Sequence, residues 1–229
     1  MSEGVTIRGL PEVRVSTSSG SIRVVGEPRD GVAVEGGIVK VDGDTVNVVS
    51  KGSTSLIVRC PESADLVIGT RSGSLELRGR VGALRFTTLS GSLRAEHIAS
   101  ADIRGMSGSV DVAECDGLCR VKTKTGSTHV GSAGAVEVTI GSGSIDVERV
   151  EGSVRVRAAS GTVGIGAEGH GLIEAETMSG SITITLPAGC RPHVRAKSLS
   201  RSTDIGVPSG DDCEIVCKTL SGGITVRSR

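Results

Sequence analysis

The sequence predicts an all-β fold of the β-solenoid type, and three observations lead to it. A Ser-Gly or Thr-Gly pair recurs from Ser72-Gly73 to Ser179-Gly180 in steps of 17 to 19 residues. Apolar and polar residues alternate on both sides of each pair, which is the pattern of a half-buried strand. A repeat this short cannot bury its own apolar face, so successive repeats must stack. We predict a single-stranded, parallel β-helix-like solenoid with coils of about 17–21 residues. A sandwich of hairpins is the alternative.

Each repeat is expected to hold two short strands joined by a turn on Ser-Gly-Ser. The residues two and four positions after the glycine are apolar in nearly every repeat, with Thr128 as the exception. The strand before the turn carries a second apolar set: Leu66 and Ile68, Leu84 and Phe86, Ala101 and Ile103, Val136 and Val138, Val154 and Val156, Ile173 and Ala175. Serine and glycine suit such turns. Parallel pairing then brings equivalent residues of adjacent coils to a spacing of about 4.8 Å.

The continuous repeat favours one elongated domain spanning residues 1–229. Residues 1–65 are interpreted as irregular first coils and a cap, 66–186 as regular coils, and 187–229 as C-terminal coils with longer corners. The six strands expected before residue 65 are Glu12–Ser16, Ser21–Gly26, Gly31–Glu35, Ile38–Val41, Thr45–Val49 and Ser55–Cys60. Little sequence follows the last strand at Ile224 and Val226, so that end is expected to be an open edge.

Three runs carry a family resemblance: VRVSTSSGSI at 13–22, RSGSLELRG at 71–79 and GDDCEIVCKTLSGGITV at 210–226. They resemble the bacterial "putative adhesin" family, a domain of unknown function with Ser-Gly-rich β-strand repeats. The resemblance covers nearly the whole chain. It implies a β-repeat fold and brings no catalytic residues with it.

Composition excludes several classes of partner. The chain has 26 basic and 26 acidic residues, so no long-range field steers it to nucleic acid. Phe86 is the one aromatic residue, which disfavours base stacking and sugar stacking. Met1–Leu10 lacks the apolar core of a signal peptide, and no run has the length of a membrane span. We therefore expect a cytoplasmic protein.

The six cysteines form two tempting pairs, Cys115 with Cys119 and Cys213 with Cys217. Cys119 occupies the column of Val136 in other repeats, and Cys217 occupies an aliphatic column too. A buried hydrophobic role fits both better than a zinc site. We predict that Cys119 and Cys217 are buried, reduced thiols and that the protein binds no cofactor.

No residue is predicted to be catalytic. The turn serines and threonines recur in repeat after repeat, as a turn requires, and have no base positioned beside them. Asp111, His129 and Asp146 each lie three residues beyond a turn glycine, so they are expected to stack on the outer face. We interpret this ladder as a structural charge ladder and predict no metal site, and these three residues are the one candidate if a metal does bind. His97, His170 and His193 are interpreted as surface residues in corners or loops.

One apolar column precedes the turn serines: Leu89, Met106, Met178, Leu199 and Leu220. We expect these residues to point inward, because solenoid corners often break strict alternation. If they pointed outward, they would form an apolar stripe that marks a partner surface.

These observations predict a non-enzymatic β-solenoid scaffold or protein-interaction module. Its partner is expected to be another protein or a second copy bound through the coil ends. An adhesin-like surface-binding protein is the first alternative, and a polysaccharide-active enzyme on a parallel β-helix is the second. Short loops argue against that enzyme.

Overall fold

The computed structural model describes residues 3–5, 11–50 and 52–229. Its strands are β1 (Glu3–Val5), β2 (Glu12–Ser19), β3 (Ile22–Glu27), β4 (Val32–Glu35), β5 (Ile38–Asp42), β6 (Thr45–Ser50), β7 (Leu56–Pro61), β8 (Asp65–Ser72), β9 (Leu75–Ser90), β10 (Leu93–Ser107), β11 (Val110–Thr125), β12 (Thr128–Ser142), β13 (Ile145–Val150), β14 (Val154–Ser160), β15 (Val163–Ala167), β16 (Leu172–Ser179), β17 (Ile182–Leu186), β18 (His193–Ser198), β19 (Thr203–Ile205), β20 (Glu214–Ser221) and β21 (Ile224–Ser228). The predicted all-β, solenoid-like class is confirmed. No helix in the described ranges is long and apolar enough to cross a membrane. Residues 6–10, within the segment interpreted as lacking a signal peptide, lie outside these ranges.

The chain divides into two compact units, Met1–Asp116 and Gly117–Arg229, which we call unit 1 and unit 2. The division falls inside β11. The grouping of all 229 residues into one elongated domain stays a prediction.

Parallel ladders build each unit in the register that the repeat predicts. In unit 2, Ser142 of β12 stands opposite Ser160 of β14, which stands opposite Ser179 of β16. In unit 1, Ser19 stands opposite Ser72, and Ser90 opposite Ser107. The turn serines therefore form columns, because every coil contributes one residue at the same register position.

The core of each unit consists of the alternating inward residues. One column of unit 2 runs through Val138, Val156, Ala175 and Cys217, all of which are fully buried. Small and branched side chains fill narrow coils without leaving voids, which explains why the core is dominated by Val, Ile, Leu and Ala. Phe86 is the one Phe, Tyr or Trp residue in the chain, and it lies fully buried in unit 1.

The turn glycines also form a column, and their stacking leaves no room for a side chain. Gly143, Gly161 and Gly180 have φ angles of +139°, +133° and +145°. A Cβ on Gly161 would lie 1.7 Å from the carbonyl oxygen of Gly143, and one on Gly180 would lie 1.7 Å from that of Gly161. Glycine is thus required both by the backbone angle and by the close approach of the neighbouring coil.

The prediction of an open edge at Val226 is wrong, because the last strand is paired on both sides. β20 pairs with β16 on one side and β18 on the other, and β21 pairs with β17 and β19. Val226 stands opposite both Ile184 and Ile205. The C-terminal coil, β20 and β21, therefore lies between the coil of β16 and β17 and the coil of β18 and β19. At this end of unit 2, β18 and β19 are the outermost of the described strands.

The beginning of unit 1 has the same kind of insertion. β2 pairs with both β6 and β8, and β3 pairs with both β7 and β9. The first coil in sequence therefore lies between the second and the third. The outer coil, β6 and β7, is flanked by the antiparallel strands β5 and β4. Antiparallel strands of this kind protect the edge of a parallel ladder.

Thr128 departs from the apolar pattern, and the structure shows what this departure costs. Its side chain is buried opposite Ile145, and its Oγ1 has no hydrogen-bond partner within the described residues.

We expect Thr128→Val to raise the free energy of unfolding by about 1 kcal/mol, because a buried unpaired hydroxyl is replaced by a methyl group of similar size. Urea denaturation followed by circular dichroism measures this change. Thr139→Val, on the exposed face of the same strand, is the matched control and should shift stability by less than about 0.5 kcal/mol. Equal effects of the two substitutions would contradict the prediction.

Candidate binding surface

The apolar column before the turn serines points outward, so the expected inward orientation is wrong. In unit 2, Met178, Leu199 and Leu220 are 59%, 67% and 49% exposed. Leu89 and Met106 of unit 1 are exposed as well. The physical reason is that strands such as β9 and β16 continue up to the turn serine. Strict alternation therefore holds up to the residue before the serine and places this column on the outer face.

Within unit 2 the apolar column is continuous. The register of the serines places Gly141, Ala159, Met178 and Leu220 side by side on successive strands. Leu199 follows at the outer edge, where its backbone N–H donates to the carbonyl of Thr219. The column thus steps from small residues to large ones towards the edge of the unit.

A charged column runs beside the apolar one, two residues earlier on each strand. It consists of Thr139, Arg157, Glu176, Lys218 and Lys197, which are opposite one another in that order. Lys218 Nζ lies 3.2 Å from Glu176 Oε1, and Arg157 Nε lies 3.4 Å from Glu176 Oε2. These contacts lower the pKa of the Glu176 carboxyl, the hydrogen bond from Lys218 being the largest cause.

Lys197 ends the charged column without compensation. No carboxylate forms an ion pair with it among the residues that the structure describes, although Glu176 is shared by the other two cations. The column therefore carries three basic side chains against one acidic side chain. Because the whole chain has a net charge of +0, this excess is a local feature.

A groove of about 620 Å³ lies along the two columns. Ile140, Ala158 and Thr177, which lie between the two columns along their strands, also line it. Its sides are Met178 and its apolar neighbours on one flank and the basic residues on the other. We call this surface, defined by the residues of the two columns, the unit 2 groove.

Unit 1 has a groove of similar size, about 610 Å³, with a different chemistry. It follows the turn serines Ser21, Ser55, Ser74, Ser92 and Ser109. Its charged residues alternate in sign and pair with one another. Arg23 Nε lies 2.9 Å from Glu76 Oε2, and Arg94 Nε lies 3.2 Å from Asp111 Oδ2. Hydrogen bonds from Arg23 and then Arg78 lower the pKa of the Glu76 carboxyl.

The structure brings together two members of the predicted outer-face ladder. His129 stands opposite Asp146, with His129 Nδ1 3.4 Å from Asp146 Oδ2. The other ring nitrogen, Nε2, lies 3.6 Å from Glu148 Oε1, a carboxylate that the sequence reasoning missed. Asp111 belongs to unit 1, where it accepts a hydrogen bond from Arg94.

The assignment of His97 to a surface corner or loop is wrong, because the residue lies in a strand. It lies within β10 at a register shift, and its side chain is partly buried. His97 Nε2 lies 2.9 Å from Asp116 Oδ1, and Nδ1 lies 3.4 Å from Glu114 Oε2. The sequence carried a signal for this: carboxylates follow both His97 and His129 at 17 and 19 residues. Of the other two histidines, His193 lies in the edge strand β18 and His170 in a loop, and both are exposed.

Each histidine cluster could offer three ligand atoms to one divalent cation. The atoms of His129, Asp146 and Glu148 lie within 4.8 Å of one another, as do those of the His97 cluster. Both ring nitrogens face a carboxylate, however, whereas a metal would take only one of them. Asp116 also accepts a hydrogen bond of 2.7 Å from Arg80. We interpret both clusters as polar imidazole-carboxylate contacts between coils.

The cysteines confirm the expectation of buried thiols. Cys119 and Cys217 are fully buried, and burial raises the pKa of the Cys217 thiol to about 12. Cys60 has the same raised value, with desolvation as the largest cause. Cys190 is partly exposed.

We expect iodoacetamide at pH 8 to modify native Cys190 at least tenfold faster than Cys60, Cys119 or Cys217, because the thiolate is the reactive form and burial disfavours it. Mass spectrometry of native and denatured protein measures the difference at each residue. All six cysteines should react after denaturation. Equal native rates for Cys217 and Cys190 would contradict the prediction.

The chain is similar to one protein family and to several solved structures. The profile of the Toastrack DUF4097 family matches residues 8–215. A search of curated protein sequences found no significant match. Among solved structures, a protein of Parabacteroides distasonis described as a "putative lipid binding protein" is 12% identical, with a TM-score of 0.50 and coverage of 100% of this chain and 96% of that chain. A Bacteroides fragilis protein described as a "putative adhesin" is 12% identical, with a TM-score of 0.46 and the same two coverages. A Clostridium sporogenes "putative cell adhesion protein" is 11% identical, with a TM-score of 0.25 and coverage of 100% and 98%. Since the family profile spans most of the sequence, the chain belongs to the Toastrack DUF4097 family.

Proposed function

We propose that this chain is a non-enzymatic interaction module that associates with a second copy of itself through the outer edge of unit 2. The observation that carries the proposal is the unequal protection of the two outer coils. In unit 1, antiparallel strands flank the outer coil. In unit 2, β18 forms its ladder with β20, and no second ladder of β18 occurs in the described part of the chain.

The outer coil of unit 2 also leaves its core residues incompletely covered. Val194 and Ala196 point inward but stay partly exposed, whereas their neighbours Ile215 and Cys217 are fully buried. An edge with unpaired backbone groups above partly exposed apolar residues is suited to pairing with another strand. The same edge of a second copy supplies such a strand, and a closed two-fold dimer results.

Ala196→Pro tests this association while leaving the internal ladder intact. The backbone N–H groups of His193 and Leu199 donate to the carbonyl oxygens of Cys213 and Thr219, on the side of β20, so alternation directs the N–H of Ala196 to the open side. Proline at Ala196 removes only this outward donor, and proline is tolerated at an edge for that reason. We expect the native protein to show concentration-dependent dimers in sedimentation velocity and the variant to stay monomeric with an unchanged circular dichroism spectrum. A strictly monomeric native protein would overturn the proposal.

A structural role for the turn serines supports the absence of catalysis. Ser19 Oγ donates to the carbonyl oxygen of Gly52, and the hydroxyls of Ser21 and Ser55 bond to each other. Ser107 Oγ donates to the carbonyl oxygen of Leu89. We therefore expect no turnover in a screen of hydrolase and lyase substrates. Turnover that a single outer-face substitution abolishes would contradict this expectation. We place this function in the cytoplasm, a setting that suits the buried thiols of Cys60 and Cys217 because reducing compartments preserve thiols.

A further inference from the structure

We propose that the unit 2 groove binds a single-chain anionic amphiphile of the fatty-acid type. The carboxylate of the ligand pairs with Lys197 and Lys218, and its hydrocarbon chain lies along Met178 and Ala159. This site uses outward-facing side chains, including Lys197 of β18, whereas the proposed self-association uses the open backbone edge of β18, so the two proposals can be tested separately.

The charge of the groove supports an anionic head group. Lys197 and Lys218 are direct cross-strand partners. Adjacent strands are about 4.8 Å apart, and like charges placed directly opposite each other destabilise a sheet. Glu176 lies one strand further on and is shared between Lys218 and Arg157. A carboxylate bound between the two lysines would relieve their repulsion and give Lys197 the partner that its neighbours do not supply.

The shape of the apolar column supports a chain-like ligand. Leu199, Leu220 and Met178 stand high beside the groove, and Ala159 and Gly141 continue the line with almost no side chain. These five residues span four strand spacings, or about 19 Å, which is the length scale of an acyl chain. The flexible thioether of Met178 can adapt to such a chain. A volume of about 620 Å³ lies within the usual range of ligand sites.

The groove of unit 1 provides an internal comparison. It is almost as large, but Ser21, Ser74 and Ser92 line it and its arginines already have carboxylate partners. Size alone would predict the same ligand for both grooves. The unit 2 groove has an apolar column beside Lys197, which has no carboxylate partner among the described residues, so we assign the amphiphile to that site.

Methionine methyl NMR tests the proposal at the level of single residues. Sodium dodecanoate, kept below its micelle concentration, is added to protein labelled with ¹³C-methyl methionine. We expect a saturable shift of the Met178 signal. Met106 is exposed at the equivalent position of unit 1 and should not shift, which makes it an internal control for detergent-like surface binding.

Charge variants test the head group. Lys197→Gln should weaken dodecanoate binding about tenfold, the effect of losing one charge-assisted contact. Lys40→Gln removes the same charge from the exposed strand β5 of unit 1 and should leave binding unchanged. Leu220→Gln tests the chain contact and should also weaken binding, and circular dichroism verifies that each variant is folded.

Three outcomes would overturn the proposal. Dodecyltrimethylammonium could bind as tightly as dodecanoate, which would remove the role of the lysines. Met106 could shift together with Met178, which would indicate unspecific adsorption. Met178 could stay unaffected by dodecanoate, which is the result expected of a groove that binds a protein instead.

Discussion

Replacing Gly161 with alanine is expected to lower the free energy of unfolding by about 2–5 kcal/mol. Two separate effects add. The φ angle of +133° is unfavourable for a residue with a Cβ. The added Cβ would also lie 1.7 Å from the carbonyl oxygen of Gly143, so the two coils would have to move apart. Since adjacent turns stack along the whole column, this movement would strain the ladders on both sides of the turn.

Three other glycines of unit 2 separate the two effects. A Cβ on Gly222 would lie 1.9 Å from the carbonyl oxygen of Gly180, without a positive φ. Gly189 has a φ of +84° and open space around it, and Gly223 has neither constraint. We expect the alanine variants to lose stability in the order Gly161, Gly222, Gly189 and Gly223, with Gly189→Ala costing about 1 kcal/mol.

Urea denaturation followed by circular dichroism measures these losses, because the chain contains no Trp or Tyr for fluorescence. A Gly161→Ala variant as stable as Gly223→Ala would show that the coils can separate without cost.

Replacing Phe86 with alanine is expected to cost about 3–5 kcal/mol, the range for a large buried ring. Phe86 stands between Ile68 and Ile103 of the adjacent coils and is 1% exposed. The neighbours are held by their own ladders, so they cannot collapse into the space that the ring leaves. The substitution therefore removes apolar burial and leaves a cavity as well.

Leu89→Ala is the matched control, because Leu89 lies three residues further along the same strand and is 50% exposed. It should change the free energy of unfolding by less than about 1 kcal/mol. Phe86→Leu should fall between the two. Similar losses for Phe86→Ala and Leu89→Ala would contradict the buried position of the ring.

Part of the candidate surface could be predicted from the register of the repeats. Each feature that the sequence reasoning missed was missed for a physical reason. The position of His129 beside Asp146 could be predicted because both lie three residues after a turn glycine. Glu148 was missed because it lies two residues further along the strand, where the other ring nitrogen reaches it. The outward column with Met178 was predicted with the wrong orientation, since the extent of the strand up to Ser179 was not visible in the pattern.

The repeat, the strand alternation and the register of each column were determined by the sequence alone, because they depend only on the spacing within each coil. The order in which coils stack was decided by the tertiary structure. Every coil presents the same column pattern above and below, so the pattern fits any neighbour equally well. Stacking in sequence order would have placed Lys197 next to Glu176. The inserted C-terminal coil instead places Lys218 there and leaves Lys197 at the outer edge, which creates the basic end of the unit 2 groove.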